Sequence, residues 1–143
     1  YDHTIRVPFI ISGPGISKGQ HMGAFGYLRD MYPTTCELAN ITIPKTVQAK
    51  SLVSILTGKA KSVHSYGYGY FRDAQRMIRD ERWKLIYYPK LGKYQLFDIE
   101  KDPNELTDLA GLPARQSKVK RLRRSLVKWF HDQGDKFVFE VKD

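Results

Sequence analysis

The chain has 143 residues, 41% of them hydrophobic and 13% aromatic, so a packed core is expected and a disordered chain is not. Its net charge of +9 is compatible with a surface for nucleic acid, for an acidic polysaccharide or simply for solvent. One cysteine excludes an internal disulfide and a cysteine-based metal site, and no apolar run reaches the roughly 18 residues of a membrane helix. The chain lacks an initiator methionine and a signal-peptide pattern, so we expect it to begin inside a longer protein.

The first expected elements are a buried strand and a helix. Val7–Ser12 is a continuous apolar run ended by a Gly-Pro-Gly turn, which is typical of a strand covered on both faces. We expect its neighbouring strands upstream of residue 1; without them, its apolar edge would favour swapping or association. Asp30–Asn40 predicts a helix that Asp30 caps and Asn40 closes.

The middle of the chain predicts a small antiparallel sheet. Lys59–Asp73 is rich in glycine and tyrosine and predicts a crossing between two lobes, followed by a first strand. Three further strands are expected at Arg76–Asp80, Trp83–Tyr88 and Tyr94–Ile99. In the second of these three, alternate positions give one apolar, aromatic face, formed by Trp83, Leu85 and Tyr87.

The last part of the chain predicts helices. Asp102-Pro103-Asn104-Glu105 is typical of a helix start, with the aspartate as cap. Ala114–Gln133 is the clearest helix, since apolar residues recur at three- and four-residue steps and Gly134 follows as a stop. We expect its apolar face to pack on the aromatic face of the sheet. Phe137–Val141 is expected to add an edge strand or to remain a loose tail.

Five segments, in this order, resemble the sulfatases, the formylglycine-dependent enzymes of the alkaline-phosphatase superfamily. They are R-V-P-F-I-I-S-G-P-G-I from Arg6, R-D-M-Y-P-T-T-C-E-L-A-N-I-T-I-P from Arg29, S-L-V-S-I-L-T-G from Ser51, R-W-K-L-I from Arg82 and L-F-D-I-E-K-D-P-N-E-L-T-D-L-A from Leu96. The departures are local: Asn40 replaces a usual glycine, Ala49-Lys50 a glycine-containing step, Ile99 a leucine and Asp108 an asparagine. The resemblance extends from Tyr1 to about Asp135.

The resemblance implies an α/β fold, the C-terminal part of an alkaline-phosphatase-like sulfatase that ends in a small antiparallel β-sheet packed on a long C-terminal helix. Residues 1–62 would be the end of the large α/β domain and residues 63–143 the small C-terminal subdomain. The implied activity of the full-length enzyme is hydrolysis of sulfate esters, with a sulfated glycan as one candidate substrate. A periplasmic, secreted or lysosomal location is also implied.

The catalytic groups of that family are not recognisable in this sequence. The family nucleophile is a formylglycine made from a C/S-x-P-x-R motif, whereas Cys36 is followed by Glu-Leu-Ala-Asn. Calcium is held by paired aspartates, and the chain has no Asp-Asp pair. Tyr1-Asp2-His3 resembles the residues that follow the active-site lysine. We therefore expect calcium and formylglycine in a full-length enzyme, no catalytic or metal residue here, and no hydrolysis by this chain alone.

Candidate substrate contacts come from the same resemblance. Tyr70–Arg76 matches a Y-R-D-x-Q-R stretch of polysaccharide-type sulfatases, with Phe71 inserted. Guanidinium groups suit sulfate and carboxylate, so the predicted contacts are Arg72, Gln75 and Arg76. The structural alternative is that the two arginines pair with Asp73 and Asp80. Weaker candidates are His64, His3 and Arg6, for which a loop position or structural hydrogen bonds are the alternatives.

A non-catalytic alternative is a basic domain that binds a glycan or a nucleic acid. It rests on the net charge and on a basic stripe in the last helix, formed by Arg121, Arg124 and Lys128. RNA-binding signatures are missing, and the tyrosines are better explained by sheet packing. The expected partner is a sulfated small molecule or polysaccharide, bound together with the N-terminal part of a longer enzyme. No specific nucleic acid and no membrane are expected, and an oligomer could form through the exposed sheet edge.

Overall fold

The computed structural model describes residues 1–135 and divides into two compact units. One unit combines Tyr1–Arg6 with the chain from Tyr66 onward, and the other is Val7–Ser65. The chain thus changes unit at residues 65–66, close to the expected 62–63, and its first six residues belong with the C-terminal part. How these units correspond to the domains of a longer enzyme stays a prediction.

An antiparallel meander forms the centre of the first unit. Its strands are β1 (Gly67–Phe71), β2 (Gln75–Arg79), β3 (Trp83–Tyr88) and β4 (Lys93–Asp98), paired in the order β1-β2-β3-β4. The bounds of β3 are those predicted from the sequence, and β2 and β4 each begin and end one residue earlier than predicted. Gly92 has a φ of 59°, which lets the chain turn back from β3 into β4. The predicted sheet is therefore confirmed.

Helix α4 (Gln116–Asp132) covers one face of this sheet, after a 3-10 turn at Pro113–Arg115. As predicted, the apolar face of α4 packs against the aromatic face of β3. The buried cluster consists of Ile78, Trp83, Leu85, Tyr87, Leu96, Val119, Leu122, Leu126 and Phe130. At its margin, the ring of Trp129 stacks on that of Tyr68 with 4.3 Å between centroids. The structure thus confirms the predicted fold class, in which a small antiparallel sheet packs on a long C-terminal helix.

The opposite face of the sheet carries a second cluster, made of Met77, Ile86, Phe97 and Ile99. The short helix α1 (Asp2–Ile5) belongs to the same unit, and the ring of Tyr1 lies 6.0 Å from that of Phe97. Lys84 lies on this face too, and its side chain has no exposed surface. A buried ammonium requires anionic partners, which the first residues of the chain help to supply.

The second unit contains helices α2 (Met31–Leu38) and α3 (Val53–Leu56), with Leu52, Ile55 and Leu56 as its core. Asn40 adopts a φ of 56° just after α2, so its predicted role in closing the helix is confirmed. The Thr34 hydroxyl accepts the Leu52 N–H at 2.9 Å, which ties α2 to the start of α3. No helix within residues 1–135 is long and apolar enough to cross a membrane.

The expectation of a buried strand at Val7–Ser12 is wrong for this structure. The segment has no strand pairing, and Val7 and Ile10 are 73% and 93% exposed. An apolar run becomes a strand only when neighbouring strands satisfy its N–H and C=O groups. Within the described chain, all four strands belong to the sheet of the other unit, so this run has no such neighbour.

The helix start predicted at Asp102 is also wrong. The Asp102 carboxylate accepts the N–H groups of Leu106 and Thr107, both at 2.8 Å, but the chain forms a turn. Glu105 has a φ of 57°, which is incompatible with a helix, and its buried carboxylate binds Lys84. A long-range ion pair has therefore overridden a local helix signal. The strand or tail predicted at Phe137–Val141 lies outside the described residues.

A bidentate pair between Arg82 and Asp98 gives the fold a testable pH dependence. Arg82 Nε and Nη2 donate to the Asp98 carboxylate at 3.0 and 2.7 Å, which holds the pKa of Asp98 below its usual value. The pair therefore stabilises the fold above the unfolded pKa of about 3.9, and this contribution is lost as the pH falls through the folded pKa. We expect Asp98→Asn to lower the melting temperature at pH 7, with the difference from wild type closing below pH 4. An Asp132→Asn control at an exposed pair should change little at any pH, and a difference for Asp98→Asn that does not shrink as the pH falls below 4 would contradict the assignment.

Candidate functional site

The turn between β1 and β2 holds the first predicted site residue. Arg72 to Ala74 form the turn, which is closed by a bond from the Ala74 N–H to the Phe71 carbonyl at 3.0 Å. Arg72 has a φ of 48°, a left-handed conformation that favours glycine. Its side chain is exposed, with Cζ 5.6 Å from the Phe71 ring. Non-glycine residues in such conformations cluster at functional sites.

Arg72 does not make the ion pair that the structural alternative requires. Its neighbour Asp73 binds the Lys90 ammonium at 2.7 Å, a hydrogen bond that holds the pKa of Asp73 below its usual value. Asp80 instead accepts from Arg121 on α4. Within residues 1–135, no carboxylate lies in ion-pair distance of the Arg72 guanidinium. The charge of Arg72 is thus available to an external anion.

Arg76, in contrast, is an interior residue with 4% exposure. Its Nε donates to Asp135 Oδ2 at 2.7 Å, and its Nη1 donates to the carbonyls of Arg72 and Gln75 at 2.7 and 3.0 Å. Gln75 is half-buried at the start of β2, opposite Phe71. The three predicted contacts of this segment therefore share one hairpin, but only Arg72 is exposed.

The N-terminal candidates belong to the same unit, next to a buried ion cluster. Lys84 Nζ donates to Asp2 Oδ1 at 2.8 Å and to Glu105 Oε1 at 2.7 Å, and Arg79 also pairs with Asp2. Burial alone would raise the pKa of Asp2, but hydrogen bonds and charge from Lys84 and Arg79 lower it overall. The Asp2 N–H donates to Glu105 Oε1 at 2.7 Å. The start of the chain is thereby fixed to β3.

His3 lies in α1 and Arg6 follows it. Arg6 is exposed and lines a groove of about 300 Å³ together with Asp2 and Glu105. An exposed guanidinium beside this ion cluster could meet an anionic ligand. The structure thus leaves a substrate role of Arg6 and His3 as a prediction.

His64 lies in the second unit and binds a buried aspartate. Its Nε2 is 2.7 Å from Asp30 Oδ2, and the ring of Tyr27 meets its imidazole edge-on. Asp30 also accepts the backbone N–H groups of Tyr27 and Lys50 at 2.9 and 3.1 Å. Asp30 does hold the N-cap position of α2, as predicted, but its side chain makes no capping hydrogen bond to that helix, because its carboxylate is used by these three donors. A histidine with one nitrogen bound in this way keeps a fixed ring orientation.

The described residues do not fit the calcium ion or the formylglycine that the resemblance implies. No group of three or more histidine, cysteine or acidic side chains in residues 1–135 is arranged to hold a metal. Cys36 is buried within α2, and no x-Pro-x-Arg sequence follows it. We therefore assign no reaction step of either group to these residues.

Residues 1–132 match the protein family described as N-sulphoglucosamine sulphohydrolase, C-terminal. An arylsulfatase of Clostridium perfringens is 33% identical over 90% of this chain, and a Delta 4,5-hexuronate-2-O-sulfatase of Bacteroides thetaiotaomicron is 35% identical over all of it. The chain spans 28% and 30% of the length of these two proteins. The solved structure of a 2-O GAG sulfatase superposes with a TM-score of 0.74 and 27% identity, over 91% of this chain and 30% of that one. The chain therefore belongs to the sulfatase family and corresponds to its C-terminal region.

Proposed function

We propose that this chain is the substrate-facing C-terminal part of an enzyme that hydrolyses sulfate esters of a sugar. Its family and the hexuronate sulfatase among its relatives support this substrate class. The catalytic centre would be supplied by residues outside the described part. The role of the chain is then to form one wall of the site and to contact the anionic groups of the substrate.

The proposal rests on the backbone conformation of Arg72 and on the exposure of its side chain. Its backbone is held in a conformation that glycine would adopt with less strain, and its guanidinium is exposed without a carboxylate partner in residues 1–135. Such strain does not serve stability, but it directs a forked cation outward from the tip of a hairpin. A guanidinium in that position can donate two parallel hydrogen bonds to a sulfate or carboxylate.

The test separates binding from folding with the variants Arg72→Gly and Arg72→Ala. Binding of a heparin-derived tetrasaccharide and of its desulfated counterpart is measured by calorimetry. We expect both variants to bind the sulfated sugar about tenfold more weakly, since one charge-assisted contact is lost. Arg72→Gly should keep or raise the melting temperature, because glycine relieves the left-handed strain. Sulfate release from the same sugar is expected from the longer enzyme but not from this chain alone.

The matched control is Arg124→Ala, which removes the same charge from an exposed position of α4. It should leave the affinity within about twofold, because a distant exposed charge is screened by salt. Equal losses for Arg72→Ala and Arg124→Ala would show unspecific attraction of polyanions and would contradict the proposal. Sulfate release by the purified chain would contradict the assignment of the catalytic centre to other residues.

A further inference from the structure

We propose that Arg76 is a positioning residue, which acts on the ligand through Arg72. It holds the turn between β1 and β2 in the one shape that presents the Arg72 guanidinium to solvent. The inference rests on the proposed function, since it gives Arg72 its ligand. It also reassigns Arg76, because the same sequence segment predicted both arginines as substrate contacts.

The chain that follows α4 places the Asp135 carboxylate beside Arg76. Gly134 has a φ of 73° and its N–H bonds to the His131 carbonyl at 2.9 Å, which stops the helix. The next residue, Asp135, donates its own N–H back to the Phe130 carbonyl at 3.0 Å. The chain thereby folds back on the last turn of α4, and the Asp135 carboxylate reaches Arg76 in β2.

The Asp135 carboxylate takes one side of the Arg76 guanidinium. The distances are 2.7 Å from Nε to Oδ2 and 3.4 Å from Nη2 to Oδ1, a side-by-side arrangement. The guanidinium also lies near two rings, with Cζ 5.4 Å from the centroid of Phe130 and 5.9 Å from that of Tyr70. A planar cation that is fixed on one side by a carboxylate and lies near two aromatic rings has little rotational freedom left.

The remaining nitrogen of Arg76 joins the two sides of the turn. Nη1 donates to the carbonyl of Arg72, where the turn begins, and to that of Gln75, where β2 begins. A single rigid group therefore sets the orientation of the peptide that follows Arg72. The left-handed conformation of Arg72 needs such external support, because it is unfavourable for a residue with a Cβ.

A lysine at position 76 would keep the charge but not this geometry. Its ammonium could pair with Asp135, whereas the planar fork that also reaches two carbonyls would be lost. Arg76→Lys therefore separates a general salt-bridge role from positioning of the turn. Asp135→Asn is a second variant that keeps the side-chain shape and weakens the fixing anion. Arg121→Lys serves as the control, since Arg121 also joins α4 to the sheet, through Asp80.

The first readout needs no ligand. Hydrogen exchange of the Ala74 amide reports on the turn, because its N–H closes the turn on the Phe71 carbonyl. We expect about tenfold faster exchange in Arg76→Lys and Asp135→Asn, with the core amide of Ile86 unchanged. Arg121→Lys should leave Ala74 as in wild type. Unchanged Ala74 exchange in both test variants would overturn the inference, whatever the sugar binding shows.

The second readout is a double-mutant cycle with the sulfated tetrasaccharide. Arg76→Lys alone should weaken binding about fivefold, and it should have no further effect when Arg72→Ala is present. Independent, additive losses would mean that Arg76 contacts the sugar itself or acts only on stability, and they would overturn the positioning role. If Arg72→Ala has no effect on binding, the proposed function fails at this contact, while Ala74 exchange still decides whether Arg76 holds the turn.

Discussion

Replacement of Lys84 by methionine is expected to destabilise the sheet-containing unit by about 3–5 kcal/mol. The ammonium is fully buried and is shared by Asp2 and Glu105, so its removal leaves the Glu105 carboxylate buried without its cation. Desolvation of an unpaired charge is far more costly than the loss of an exposed ion pair. Urea unfolding, followed by the fluorescence of Trp83 and Trp129, would measure the loss at pH 7.

The double variant Lys84→Met/Glu105→Gln shows whether the lost stability comes from the unpaired charge of Glu105 or from altered packing at position 84. It removes both charges and keeps a group that can accept the Asp2 N–H, so most of the lost stability should return. Lys120→Met, at an exposed position of α4, should stay within about 0.5 kcal/mol of wild type. The assignment is contradicted if Lys84→Met is as mild as this control, or if the double variant is no more stable than the single one.

Leu122→Ala is expected to cost about 2–5 kcal/mol. Leu122 lies at the centre of the interface between α4 and the sheet and is completely buried. The substitution removes buried apolar surface and leaves a cavity between a helix and a rigid sheet, which can relax only in part. The loss would appear as a lower midpoint of urea unfolding with an unchanged slope.

An alanine at Arg124, two residues further along α4 and exposed, is the matched control. Alanine favours the helix at both positions, so a difference between the two variants reports on packing and not on helix propensity. We expect Arg124→Ala to change stability by less than about 0.5 kcal/mol. Equal effects of the two variants would mean that α4 is not packed through Leu122.

Much of the C-terminal fold could be predicted because its signals are local. The alternation in β3 and the spacing of apolar residues in α4 each fix one face of an element, and these two faces meet in the structure. The failures have two physical causes. The run Val7–Ser12 lacks neighbouring strands among the described residues. At Asp30 and Glu105 the local pattern favours a helix cap or start, but both carboxylates bind distant partners. Pairings over 20 or more residues leave no trace in a local pattern.

The candidate site was predictable as a segment but not residue by residue. The resemblance identified Tyr70–Arg76, yet it did not separate Arg72 from Arg76. A signal for the separation was present, because Arg76 shares the face of β2 with Ile78, which packs under α4. The partner Asp135 could also have been suspected, as an acidic residue placed directly after a glycine stop. The left-handed backbone of Arg72 had no such signal, since glycine is the usual residue there.

The pairing of Asp2 with Lys84 has a consequence for the order of events during synthesis. The two residues are 82 positions apart, so the first leaves the ribosome long before the strand that receives it has been made. The buried residues of the α4–sheet cluster all come from Ile78 onward, so the cluster can form from contacts closer in sequence. We therefore expect residues 1–6 to join the sheet after its strands have paired. Their ion pairs would then mainly slow the opening of the fold and have little effect on its rate of formation.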